Sequence, residues 1–264
     1  MRSRVLLALV SGLRPDAVAA CGHPFYKRLR KMSTECANAQ TVRSAAALPC
    51  CISLFTGVEP RLHGNVDNVW RPYPRPYDGI LETVHDAGGK TAMAIAWEPL
   101  RYLGRADSID RLELLCCDTP SHAFSDALLF EKDRAKRTAD LLSASESDFV
   151  FYSFSLADAA GRAEGWNSGT YLDALRCASD CLELLIDSLP ACWQSIVTSD
   201  CGGYRGVGAG RDTACSRTVP ICCTGSAFAR GRTVDGWKLL DVAPTVYTLL
   251  GTETPEYCQG KSWL

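Results

Sequence analysis

Short, nearly unbroken apolar runs recur along the chain: VLLALV (5–10), TAMAIAW (91–97), LELLCC (112–117), DFVFYSF (148–154), SIVTS (195–199) and VPICC (219–223). They lack the strict polar–apolar alternation of a strand with one wet face, so they suit strands buried on both sides. Helical spacing fills the intervals. YDGILETVHDAGG closes on glycines, and AFSDALLFEKDRAKRTADLL repeats apolar residues every three or four positions. In TYLDALRCASDCLELLIDSL, Leu172, Leu175, Leu182, Leu185 and Leu189 form one stripe, and Thr170 with Asp173 resembles a capping box. DVAPTVYTLLG starts at Asp241, a suitable N-cap, and stops at Gly251. Strand and helix alternate throughout, which predicts an α/β fold: a three-layer α/β/α sandwich around a mostly parallel sheet, in a single domain over 1–264.

The opening MRSRVLLALVSGLRPDAVAA allows a second reading, as a secretory signal with a basic start, an apolar core and small residues for cleavage. The sheet needs its first run, so it is read as a strand turning at Ser11-Gly12. Ligands of open parallel sheets sit at the carboxyl ends of the strands. That directs attention to Ser11-Gly12, to Asp158 and to Asp200-Cys201-Gly202.

Composition changes this picture little. The chain is 47% hydrophobic and 22% charged with a net charge of −2, ordinary for a protein with a sizeable core. No basic stripe is present, which argues against nucleic acid as a partner, and no apolar run is long enough for a membrane span. The 14 cysteines make the chain cysteine-rich, yet it has no C-x-x-C, and it is too long to need disulfide staples. Free thiols in a cytoplasmic protein are expected. Cys177 and Cys181, four apart on a helix, are read either as two small buried side chains or as a shared ligand pair.

The segments VSGLRPDAV, ALPCCISLFTGVEPRLHGNVDN, ADAAGRAEGW, TSDCGGY, GAGRDTACSRTVP and LLDVAPTVYTLLGTETPEYCQGKSWL stand in the order and spacing of the alkaline phosphatase superfamily. They most resemble its type I phosphodiesterase/nucleotide pyrophosphatase branch. The resemblance implies two zinc ions held by Asp and His at strand ends, a Thr or Ser nucleophile, and an Asn that binds the phosphoryl oxygens. At the matching positions, the first metal-ligand Asp is Ser11 and the nucleophile is Ala47. The oxyanion Asn is retained as Asn68. In the family's D-x-x-G-H the Asp is retained as Asp158, but the His is Arg162. S-D-H-G reads Ser199-Asp200-Cys201-Gly202, and the last metal His is Ala209. His23, His63, His85 and His122 all lie outside these clusters, with His63 suited to a structural turn.

A pseudoenzyme is therefore expected, and the chain leans away from being an enzyme. No resident cofactor is expected. What remains is binding of an anionic or phosphorylated small molecule near Asn68 and Arg162, or of a protein partner such as an active relative. Arg162 is read as pairing with Asp158 or an anion, or else as a solvated loop arginine. Asn68 is read as a retained oxyanion donor or as a turn cap. A hydrolase of phosphodiesters, phosphomonoesters or sulfate esters, with zinc on Asp158, Asp200 and Cys201, is the alternative. A third reading is a thiol redox role, with Cys51 close to Cys201. Trp97 and Arg101 mark a region on the family's substrate side, with a loop anchored by a buried Trp as the plainer reading.

Overall fold

The computed structural model describes residues 3–73, 77–114, 124–144, 146–203 and 213–264. Eight strands form one sheet: β1 (Arg4–Val10), β2 (Thr34–Gln40), β3 (Thr91–Ile95), β4 (Arg111–Leu114), β5 (Phe149–Phe154), β6 (Trp193–Thr198), β7 (Thr218–Thr224) and β8 (Arg232–Thr233). Their order is β4-β3-β5-β1-β6-β7-β2-β8. Every pairing is parallel except those that β7 makes with β6 and β2. The mostly parallel sheet agrees with the expectation from the apolar runs.

The first run becomes the central strand, with Leu7 facing Phe151 on one neighbour and Ile196 on the other. Its residues divide between two cores, as the period of two along a strand requires. Val5, Leu7 and Leu9 pack with Leu48, Phe55, Leu81 and Val246 from helices Ala47–Thr56, Ile80–Asp86 and Val242–Leu250. Leu6, Ala8 and Val10 pack with Phe25, Ala135, Ala157 and Leu182 from helices Pro24–Met32, Phe124–Ala144, Leu156–Glu164 and Gly169–Asp187. The result is helix, sheet and helix in three layers. Phe55 meets Phe149 and Phe151 edge to face at 6.2 and 4.9 Å, a geometry worth about 0.5–1.5 kcal/mol per pair beyond the buried area.

Two strands escape the apolar pattern. β2 reads TECANAQ, polar and poor in β-branched residues, and its register shifts between Cys36 and Ala39; pairing with β7 and β8 overrides its weak propensity. β8 is two residues long. The capping box expected at Thr170 is corrected as well. Ser168 is the N-cap and accepts from the Tyr171 amide at 3.2 Å, while the Thr170 hydroxyl is drawn to Glu164. Asp241 does precede its helix, but its carboxylate accepts from the amides of Lys238 and Lys261, both at 2.9 Å. It thereby ties down the C-terminal segment, where Trp263 stacks on Trp237 at 4.1 Å.

Gly57 ends helix Ala47–Thr56 with φ of 69°, and a Cβ there would run into the Cys258 thiol. Both features demand glycine. Gly57→Ala is expected to cost about 1–2 kcal/mol, read as a lowered midpoint in urea; an unchanged midpoint would mean that the C-terminal segment yields freely. Among the described residues no helix is long and apolar enough to cross a membrane.

Candidate functional site

The site is assembled where β1, β5 and β6 end. β1 turns at Ser11-Gly12, and Gly12 takes φ of 78°. A side chain at Gly12 would press on the backbone of Asp158, 3.0 Å from its Cα, so β1 and the segment after β5 meet there with nothing between them.

Asp200, just beyond β6, is fully buried. Its Oδ2 accepts from the Ser11 hydroxyl at 3.0 Å. Its Oδ1 accepts from the Cys201 amide at 2.7 Å, the Ser199 hydroxyl at 3.3 Å and the Gly12 amide at 3.4 Å. Burial pushes the Asp200 carboxyl above its ordinary range, and these hydrogen bonds pull against that shift. Cys201 is buried beside it, and burial followed by the Asp200 charge drives its thiol well up. A thiol so placed is a poor thiolate. The Cys50 thiol and the Asp158 carboxyl push it further in the same direction.

Asp158 and Arg162 fall in the first and last turns of helix Leu156–Glu164. Four residues apart, they share a helix face, and Arg162 Nε stands 2.7 Å from Asp158 Oδ2. Of the readings open for Arg162, pairing with Asp158 is the contact present in this geometry. Burial raises the Asp158 carboxyl to about 6, with Arg162 opposing the shift and Asp200 adding to it. Asp158 Oδ1 is buried and finds no hydrogen-bond partner among the described residues.

Helix Ala47–Thr56 points its N-terminus at the same place. Ala46, its N-cap residue, has no side chain to cap with, and the approach is tight, with Ser44 and Ala45 at φ of 97° and 38°. Asn68 supplies the cap from a distance: its Oδ1 accepts from the Leu48 amide at 3.0 Å. Its Nδ2 meets no protein acceptor among the described residues. Ser11, Ala47, Asn68, Asp158 and Arg162 line one cleft of about 300 Å3, together with Trp97 and Leu100. Asp200 and Cys201 sit behind that lining, and Ala209 falls outside the described residues.

The remaining candidates lie elsewhere. Arg101 pairs with Glu98 at 3.5 Å and lies over the Tyr102 ring, half-exposed. His63 is buried, 3.1 Å from the Ser53 hydroxyl, and burial lowers it to about 4. His23 caps helix Pro24–Met32 by accepting from the Phe25 amide and faces Asp180. His85 belongs to helix Ile80–Asp86, and His122 is outside the described residues. Cys177 and Cys181 are buried free thiols, as are most of the described cysteines. Among the described residues no group of three or more His, Cys, Asp or Glu side chains is arranged to hold a metal ion. Trp166 carries no sequence-derived role, yet its ring occupies the space beside Gly12, Gly161 and Gly203.

A mostly parallel sheet with its polar cluster at the ends of β1, β5 and β6 has the architecture of the alkaline phosphatase superfamily. Within it, the chain belongs to the type I phosphodiesterase/nucleotide pyrophosphatase family, whose description matches residues 5–206. Human ectonucleotide pyrophosphatase/phosphodiesterase 5 superposes with a TM-score of 0.78 at 14% identity, over 98% of this chain and 97% of its own. An inactive form of the murine protein in complex with AMP gives 0.77 at 15% identity, over 97% of each chain. A 2-O GAG sulfatase gives 0.77 at 13% identity, over 100% of this chain and 73% of that one. No curated protein matches the sequence.

Proposed function

We propose that this chain is a pseudoenzyme of its family, which keeps the fold and uses the strand-end cleft to bind an anionic or phosphorylated small molecule. The observation that carries the reading is the Arg162 guanidinium, 2.7 Å from Asp158 in the cleft, a fixed positive charge at a position where the family resemblance implies a metal-binding His. Arg162 is half-exposed and keeps donors free for a phosphate or sulfate. The Nδ2 of Asn68, which meets no protein acceptor among the described residues, and the Ala47 amide at the start of helix Ala47–Thr56 complete an anion-directed set. AMP bound to the murine relative supports a phosphate-bearing ligand. An active relative is the protein partner we would try first.

The donor set does not fit a zinc pair. Zinc wants nitrogen, sulfur and carboxylate donors that are free to coordinate. Here both Asp200 oxygens already accept from protein groups, the Cys201 thiol resists ionisation, and a cation sits on Asp158. Ala47 offers no hydroxyl to attack phosphorus. The alternative, an ester hydrolase on a rebuilt metal site of Asp158, Asp200 and Cys201, has the unpartnered Asp158 Oδ1 in its favour. The free thiols among the described cysteines support a reducing, cytoplasmic setting.

Protein purified without chelator or histidine tag should carry no stoichiometric zinc or manganese, and AMP or inorganic phosphate should bind in calorimetry. Arg162→Ala is expected to weaken that binding at least tenfold, since a charge-assisted hydrogen bond is worth about 1.5–3 kcal/mol. One or two tightly held ions per chain would overturn the reading in favour of the hydrolase.

A further inference from the structure

We propose that Trp166 is the positioning residue of the cleft: its indole holds together the three strand-end segments bearing Ser11, Asp158 with Arg162, and Asp200, a task the family resemblance gives to metal ions. The backbone delivers the ring deliberately. Gly165 and Asn167, on either side of Trp166, take φ of 106° and 70°, which turns the chain sharply in and out again. The ring then lies where three side chains would otherwise stand. A Cβ on Gly12 would come within 3.1 Å of it, one on Gly161 within 2.6 Å, and one on Gly203 would overlap it. These glycines belong to the turn after β1, helix Leu156–Glu164 and the segment after β6, the same three segments that carry the site residues.

Tyr171 braces the arrangement. Its ring meets Trp166 edge to face at 5.4 Å, and its hydroxyl donates to the Gly12 carbonyl at 2.8 Å. The indole Nε1 is buried without a hydrogen-bond partner among the described residues, so the ring acts on them by packing. The need for such a tie is electrostatic. Asp158 and Asp200 repel each other, which favours drift of their segments, and Arg162 opposes that repulsion from its place on Asp158. Dense apolar packing under both resists that drift.

Gly161 gives a discriminating test. Gly12 and Gly203 need glycine for their positive φ as well, but Gly161 lies within a helix, where alanine is intrinsically favoured over glycine. In the otherwise natural chain, Gly161→Ala is expected to lower the melting temperature by several degrees. In a Trp166→Ala background, itself lowered by roughly 10 °C, the same Gly161→Ala change should be neutral or stabilising. An equal cost in both backgrounds would overturn the proposal. Should Trp166→Ala fail to fold, Trp166→Leu serves in its place. Hydrogen exchange separates positioning from general stability. In Trp166→Leu, amides of 11–13, 158–162 and 201–203 should exchange at least tenfold faster together, while those of helix Val242–Leu250 should not. Loosening confined to the neighbours of residue 166, or uniform across the chain, would count against it. The cycle reads Trp166 whether or not the cleft binds an anion. A wild-type melting temperature raised by added zinc would refute the metal-free site and leave the Trp166 result standing.

Discussion

Replacing Asp200 with alanine is expected to destabilise the protein by about 3–5 kcal/mol, the largest loss at any site residue. The carboxylate is fully buried and accepts from Ser11, Gly12, Ser199 and Cys201. Alanine would leave the Ser11 hydroxyl and the Gly12 and Cys201 amides, three donors on two strand ends, without that acceptor, each costing about 1–3 kcal/mol if no water reaches it, while the Ser199 hydroxyl keeps the Cys201 carbonyl at 3.0 Å. Asp200→Asn keeps one oxygen and the volume, but its NH2 would confront donors, so a loss of intermediate size is expected. Ser11→Ala removes a single hydroxyl and should cost about 1 kcal/mol. Urea unfolding of the three variants checks this ordering. Were Asp200→Ala as stable as Ser11→Ala, the carboxylate would be no organising centre for these strand ends.

Between pH 4 and 6 the protein should lose stability as the pH rises, through Asp158. Its folded value of about 6 lies above the ordinary 3.8, chiefly because of burial. The folded chain therefore keeps a proton that the unfolded chain gives up. The stabilisation is complete below about 4 and is gone once the pH passes about 6, a change of about 3 kcal/mol. Asp200 shifts in the same direction. Asp16, Asp67 and Asp180 are lowered by arginine, lysine or histidine partners and act oppositely, so the raw pH profile mixes signs. Asp158→Asn isolates the effect. It removes the titrating carboxylate together with its ion pair, and its stability relative to wild type should climb by about 2 kcal/mol from pH 4 to 6.5. A flat difference would mean that Asp158 is ionised across the whole range.

The sheet was legible wherever burial on two faces left a run of apolar residues, as in β1, β3, β5, β6 and β7. β2 was not, because its partners rather than its own residues make it a strand, and Glu35 within it is buried against Arg30. The helix cap at Thr170 was misread because Ser168 and Glu164 compete for the same turn. In the site, the family resemblance singled out Ser11, Ala47, Asn68, Asp158 and Arg162 one by one, and these five line one cleft. Spacing could not tell that Asn68 caps the helix through Leu48, since that depends on which way a carboxamide turns. Nor could it reveal Trp166. The available signal was a glycine beside each of three site motifs, and it has meaning only once those glycines are known to be neighbours.

The placement of β1 also matters to the chain as it is being made. β1 leaves the ribosome well before both of its neighbours, β5 at Phe149–Phe154 and β6 at Trp193–Thr198. At about 5–20 residues per second, β6 follows β1 by roughly 10–40 s. Until β5 emerges VLLALV has neither flanking strand, and until β6 follows one of its edges stays open. The nascent polypeptide, rather than the finished fold, is thus the form most exposed to aggregation. Lower growth temperatures and a chaperone that shields β1 as it emerges should raise the yield of soluble protein.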